Sequence, residues 1–189
     1  MGKLLENLHL VMLVGLVAAI GLMMGFHADT LTESAMLQWL HVFFGITWIG
    51  LLYYFNFVQI PTMPSIPAEL KPAVGKYIAP KALFFFRWGA ALTVLTGLIL
   101  AWSNGYLVES LTYAEGYRLI GIGMWLAIIM AFNVWFIIWP NQKKALGMVE
   151  ADDATKASSA RTAMLTSRIN TLLSIPMLYA MTTFSPLGG

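Results

Sequence analysis

Apolar residues gather in five long blocks along the chain, at about 8–26, 38–60, 83–102, 118–139 and 168–184. Each comes close to the roughly 20 residues that a helix needs to cross a hydrocarbon core. The polar positions inside the blocks are few, and they repeat with helical rather than strand spacing. From Gln38 to Pro61 the positions His41, Gly45, Trp48, Leu52, Asn56 and Gln59 share one helical face. A histidine and two amides are costly against acyl chains, so this face is expected to point into a bundle. In the third block Gly89, Thr93, Thr96 and Gly97 form a small-residue stripe that lets a neighbouring backbone approach. Prolines supply the punctuation. Pro61, Pro64 and Pro67 are expected to end the second block and Pro140 the fourth, while Pro72 and Pro80 mark turns in a polar loop from Glu69 to Lys81. Tyr106–Tyr117 reads as a loop, the polar stretch after Pro140 through Arg161 as a solvated or interfacial helix, and Pro176 as a kink in the fifth block.

The expected fold class is all-α: a single integral membrane bundle over 1–189 with five transmembrane helices. Composition agrees, with 59% hydrophobic and 11% charged residues, against about 25% charged in soluble domains. Basic residues separate the loops into two sets. Lys3, then Lys71, Lys76, Lys81 and Arg87, then Lys143, Lys144, Lys156, Arg161 and Arg168 fall on alternate sides. The positive-inside rule therefore places the N-terminus in the cytoplasm and the C-terminus in the periplasm of a bacterial inner membrane. No leader cleavage signal follows Lys3, so the first block is expected to remain as a helix. The net charge of +2 is spread over separate loops and does not favour nucleic acid. Without cysteine there is no disulfide, thioether-linked haem or iron–sulfur cluster.

The chain has three histidines, His9, His27 and His41. With this topology His27 ends the first span and His41 begins the second, so both are expected near the outer interface. A rise of 1.5 Å per residue puts His9 roughly 27 Å from His27. Haem b is the leading cofactor expectation, with His41 and His27 as iron ligands and Gly45 and Trp48 beside the macrocycle. The plainer reading of His41 is an interfacial histidine bonded to a backbone carbonyl, and that of His27 a solvated loop-edge histidine. A second polar level lies towards the cytoplasm: Asn56, Arg87, Asn133, Asn141, Gln142, Arg168 and Asn170, with Gln59, could bind a polar planar ligand or simply join helices. No paired-carboxylate, Ser-His-Asp or phosphate-cradling pattern is present.

Three runs carry a family likeness: HVFFGITWIG (His41–Gly50), NVWFIIWPNQKK (Asn133–Lys144) and SRINTLLSIPML (Ser167–Leu178). They resemble the membrane domain of bacterial membrane-bound urate oxidases, also called urate hydroxylases, from about Trp39 onward. The resemblance implies a redox role with electrons passed to a cytochrome c, and makes His41 the first haem-ligand candidate. With a shorter length than the pattern and no cysteine for haem attachment, the chain is expected to lack the cytochrome c domain and to take a separate periplasmic cytochrome or larger respiratory complex as its partner. The alternative is a non-catalytic subunit packed against larger membrane partners or copies of itself. A solute carrier is less favoured, because five spans allow no simple inverted repeat.

Overall fold

The computed structural model describes residues 2–27 and 33–184. Among these residues every regular element is helical. In chain order they are α1 (Gly2–Leu5), α2 (Leu8–His27), α3 (Glu33–Tyr53), α4 (Ile60–Thr62), α5 (Lys71–Ala73), α6 (Ala79–Ser103), α7 (Leu107–Leu111), α8 (Arg118–Phe132), α9 (Trp139–Ala145) and α10 (Asp153–Thr183). Four stretches are long and apolar enough to cross a membrane: Leu8–Phe26, Glu33–Ser65, Lys71–Ser103 and Arg118–Ala145. The fifth expected span, 168–184, falls in the C-terminal half of α10, which is not among those four.

Pro61, Pro80 and Pro140 do not end their helices, while the second apolar stretch does stop at Ser65, just before Pro67. Glu33–Ser65 runs through Pro61, Lys71–Ser103 through Pro80, and Arg118–Ala145 through Pro140. In each case a π-helical turn precedes the proline: Tyr54–Gln59, Val74–Ile78 and Asn133–Ile138. The residue just before each proline donates its N–H five residues back, Ile60 to Phe55, Ala79 to Val74 and Trp139 to Val134. A proline in regular α-geometry drives its ring into the carbonyl four residues earlier and removes one hydrogen bond. The wider π turn draws that carbonyl aside, so the helix continues. The expected polar loop from Glu69 to Lys81 is thus largely helix from Lys71 onward. The expected loop at Tyr106–Tyr117 contains α7.

The polar stretch through Arg161 begins in α9 and, after residues 146–152, continues as the first turns of α10. Asp152 caps it, its carboxylate accepting the Thr155 N–H at 2.7 Å and the Thr155 hydroxyl at 3.1 Å. These bonds hold the Asp152 carboxyl below its ordinary pKa. The helix then runs to Thr183 and passes Pro176 without interruption.

The chain divides into two compact units, Met1–Met36 and Leu37–Gly189. In the first, the Asn7 side chain caps α2 by accepting the His9 N–H at 3.0 Å and the Leu10 N–H at 3.3 Å. Most apolar side chains of α2 are exposed, Leu13, Val17 and Leu22 among them. The second unit holds the core. Trp48, Leu52, Phe86, Met130 and Val134 are fully buried in one cluster. A smaller cluster forms around Ala101, Ile120 and Met124. There Tyr106 stacks on Tyr117 with ring centres 5.8 Å apart, and burial pushes the Tyr106 phenol up. Gly121 lets α7 lie against α8, since a Cβ there would run into the Ser110 carbonyl.

Candidate functional site

The face through His41, Gly45, Trp48, Leu52 and Asn56 packs on protein throughout. The small-residue stripe on α6 receives it. A Cβ on Gly89 would come within 3.2 Å of the Trp48 amide nitrogen, and one on Gly97 within 2.7 Å of His41 Cε1. Gly45 faces the Thr93 methyl at 3.8 Å. Each small residue on one helix therefore admits a larger group from the other, which is how helices approach closely without a hydrophobic driving force.

His41 is half-buried and held at one nitrogen. Its Nδ1 lies 2.8 Å from the Thr93 carbonyl and 3.5 Å from Thr96 Oγ1. The carbonyl can only accept, so Nδ1 carries the proton and Nε2 keeps a lone pair in the neutral ring. The Thr93 and Thr96 hydroxyls are themselves satisfied one turn back, by the Gly89 and Leu92 carbonyls at 2.6 Å each. Trp48, fully buried against Gly89, leaves its indole Nε1 without a hydrogen-bond partner. His27 is the last residue of α2 and its ring lies outside the described residues, as does the expectation that it pairs with His41. Among the described residues no three His, Asp or Glu side chains group as a metal set.

The inner polar residues resolve into separate contacts. Asn133 Nδ2 donates to Asn170 Oδ1 at 2.8 Å, and Asn170, fully buried, donates to the Met130 carbonyl at 2.9 Å. This pair bridges α10 and the π turn that follows α8. Asn56 donates to the Leu52 carbonyl and to Ser167 Oγ, at 2.9 and 2.8 Å, leaving its own buried Oδ1 unpartnered. Asn141 turns back onto the Ile137 carbonyl at 2.8 Å. The Arg87 guanidinium lies over the Trp139 ring, 3.4 Å from its centre, with buried Nε and Nη1 unpartnered. Trp135 ties the same place together by donating to the Arg87 carbonyl at 3.1 Å. Arg168 is exposed and joins none of them. Asn56, Arg87, Asn133, Asn141, Arg168 and Asn170 thus do not converge on one ligand position.

Gln142 does line a cavity, one of about 830 Å³. Residues from all three π turns line it, Phe55 and Gln59, Val74, and Ile138, together with Pro80 after the second turn. Widened turns often mark functional positions, because they push side chains out of the helical register. Gln59 brings a buried Oε1 that has no partner, and Ser167, Lys71 and Lys76 complete the polar lining. Lys71, Lys76 and Ser167 are residues that sequence reasoning missed here. A usable signal existed in the spacing of Gln59 and Gln142, which lie two residues before Pro61 and two after Pro140.

Long apolar helices with their polar residues turned onto one another define an all-helical bundle, of a kind compatible with a membrane protein. Over residues 105–185 the chain matches the family described as urate oxidase, N-terminal, so this part is urate-oxidase-like. No curated protein and no solved structure matches the chain. The matched range contains the Asn133–Asn170 bridge, whereas His41 and its partners on α6 lie before it.

Proposed function

We propose that the chain is a membrane-embedded redox subunit of urate-oxidase-like relation, in which His41 Nε2 would hold the iron of a haem b. The observation that carries this reading is the 2.8 Å contact between His41 Nδ1 and the Thr93 carbonyl. Ligating histidines characteristically donate their other ring N–H in this way, which fixes the tautomer and raises the basicity of the ligating nitrogen. Bound haem would supply a one-electron iron couple. The chain's own part is to hold the imidazole against Gly97 and Thr93 and to surround it with apolar helices. In this reading the bundle lies in a bacterial inner membrane with its N-terminus inside, the C-terminal half of α10 is a fifth span, and a cytochrome c or larger respiratory complex exchanges the electrons. The absorption spectrum of the intact purified protein, with and without dithionite, tests it. A Soret band that shifts on reduction and disappears in His41→Ala supports it; no Soret band in protein produced with ample haem rejects it. Urate as the reductant is the narrower form, tested by adding urate to the oxidised protein and following the same band.

A second reading, an accessory bundle without chemistry, is favoured by the same hydrogen bond acting only as helix glue, alongside the Asn133–Asn170 bridge. Gentle extraction and native gels distinguish it: co-purifying membrane partners without haem support it, and a haem-loaded monomer counts against it.

A further inference from the structure

We propose that the cavity bounded by the three proline-linked π turns binds an anionic phospholipid with a hydroxylated headgroup, its phosphodiester meeting Lys71 and Lys76 and a headgroup hydroxyl donating to Gln59. Three independent features of the cavity each ask for one part of such a molecule.

The first is charge. Lys71 and Lys76 line the cavity and, among the described residues, no acidic one does. A phosphodiester supplies the single negative charge that this lining lacks, and basic pockets between membrane helices recognise anionic lipid heads in this way. The second is the orphan acceptor. Gln59 Oε1 is buried with no donor within reach, and leaving a buried carbonyl oxygen unsatisfied is destabilising. A phosphate oxygen cannot satisfy it, since it too only accepts. A glycerol-type hydroxyl can, which selects a head carrying both groups. The third is the wall. Phe55, Leu83, Phe86 and Ile138 are buried apolar residues on the cavity's lining, and they suit the upper part of an acyl chain. A volume of about 830 Å³ falls within the range of ordinary ligand sites. All three π turns contribute residues to the cavity wall.

The proposal rests on the membrane reading but not on haem at His41, and carbonate-resistant sedimentation of the full chain with membranes checks that premise separately. The test is thermal unfolding of the purified full chain in neutral detergent with added phosphatidylglycerol, phosphatidylcholine or soluble glycerophosphoglycerol. Phosphatidylglycerol is expected to raise the midpoint while phosphatidylcholine does not. The soluble head alone should give a much smaller rise, because it lacks the acyl chain. The Lys71→Gln/Lys76→Gln variant should bind phosphatidylglycerol roughly 25-fold more weakly, and Gln59→Met should lose the preference for phosphatidylglycerol over phosphatidic acid. Lys81→Gln, at an exposed position off the cavity lining, should change nothing. Equal stabilisation by phosphatidylcholine overturns the proposal, as does an unchanged affinity in the double lysine variant. An equal rise with soluble glycerophosphoglycerol overturns the lipid assignment in favour of a free phosphodiester. Should a variant fail to fold, native mass spectrometry of the unmodified chain decides alone: retained phosphatidylglycerol supports the site, and retention of phosphatidylcholine to the same degree overturns it.

Discussion

Gly97 tests the His41 contact at its tightest point. A methyl there would sit 2.7 Å from Cε1 of the ring, closer than non-bonded carbons approach, so either the imidazole leaves the Thr93 carbonyl or the two helices part. Gly97→Ala is expected to destabilise the bundle by about 1–3 kcal/mol, the usual cost of overpacking, and to lower the thermal midpoint in detergent. Gly50 is the matched control: nothing lies within 4 Å of a Cβ there, and alanine in a helix is favoured over glycine by about 0.5–1 kcal/mol. Gly50→Ala should therefore be neutral or mildly stabilising. If both variants unfold alike, the α3–α6 contact is not as close as described. At this scale the sequence was readable where a single helical period governs. His41, Trp48 and Leu52 share one helical face, and a polar member in an otherwise apolar helix leads one to expect that this face turns onto protein, as it does. The amide partners were not readable, because the bonds from Asn133 to Asn170 and from Asn56 to Ser167 join residues 37 and 111 positions apart, and no local pattern encodes which distant helix supplies the acceptor.

At the scale of elements, the departure from expectation has one cause repeated three times. Pro61, Pro80 and Pro140 look like helix ends because proline ordinarily cannot continue an α-helix. A π turn removes the clash, and hydropathy is blind to it. Pro140→Ala removes the reason for the wide turn at Asn133–Ile138 and should let it tighten to α-geometry, rotating the residues beyond it. Trp139 would then leave the Arg87 guanidinium. The coupling between Arg87 and Trp139, expected at about 0.5–2 kcal/mol in a double-mutant cycle, should fall towards zero in the Pro140→Ala background; an unchanged coupling would show that proline does not set the turn. The start of α10 makes a pH prediction. Asp152 has its pKa lowered by the Thr155 bonds, so it binds its proton less readily in the folded chain than in the unfolded one. Its contribution is complete above the unfolded carboxyl value of about 3.9 and is lost as pH falls from there through the folded value. Asp152→Asn should flatten that acid-limb dependence while the cap geometry survives, measured as thermal midpoint against pH between about 6 and 3.

For the whole molecule, the division at Met36/Leu37 separates the two histidines proposed for iron. His41, Thr93 and Gly97 all belong to the larger unit, as do both buried clusters and the cavity, whereas His27 belongs to the smaller one. A chain beginning at Leu37 keeps every buried contact described for the core and should fold, giving a helical circular dichroism spectrum and a cooperative melt close to that of the full chain. Its haem spectrum then distinguishes two coordination schemes. If His41 is the sole protein ligand, the shortened chain binds haem as the full chain does, and the iron keeps an open position. If His27 completes the coordination, the full chain shows the sharp low-spin bands of two imidazoles and the shortened one turns high-spin. The first outcome leaves a position at which a small molecule could bind iron, while the second describes an electron carrier only. Loss of haem from the shortened chain together with retention in His41→Ala would move the centre to α2, because the only ligand kept in one and missing in the other would then lie before Leu37.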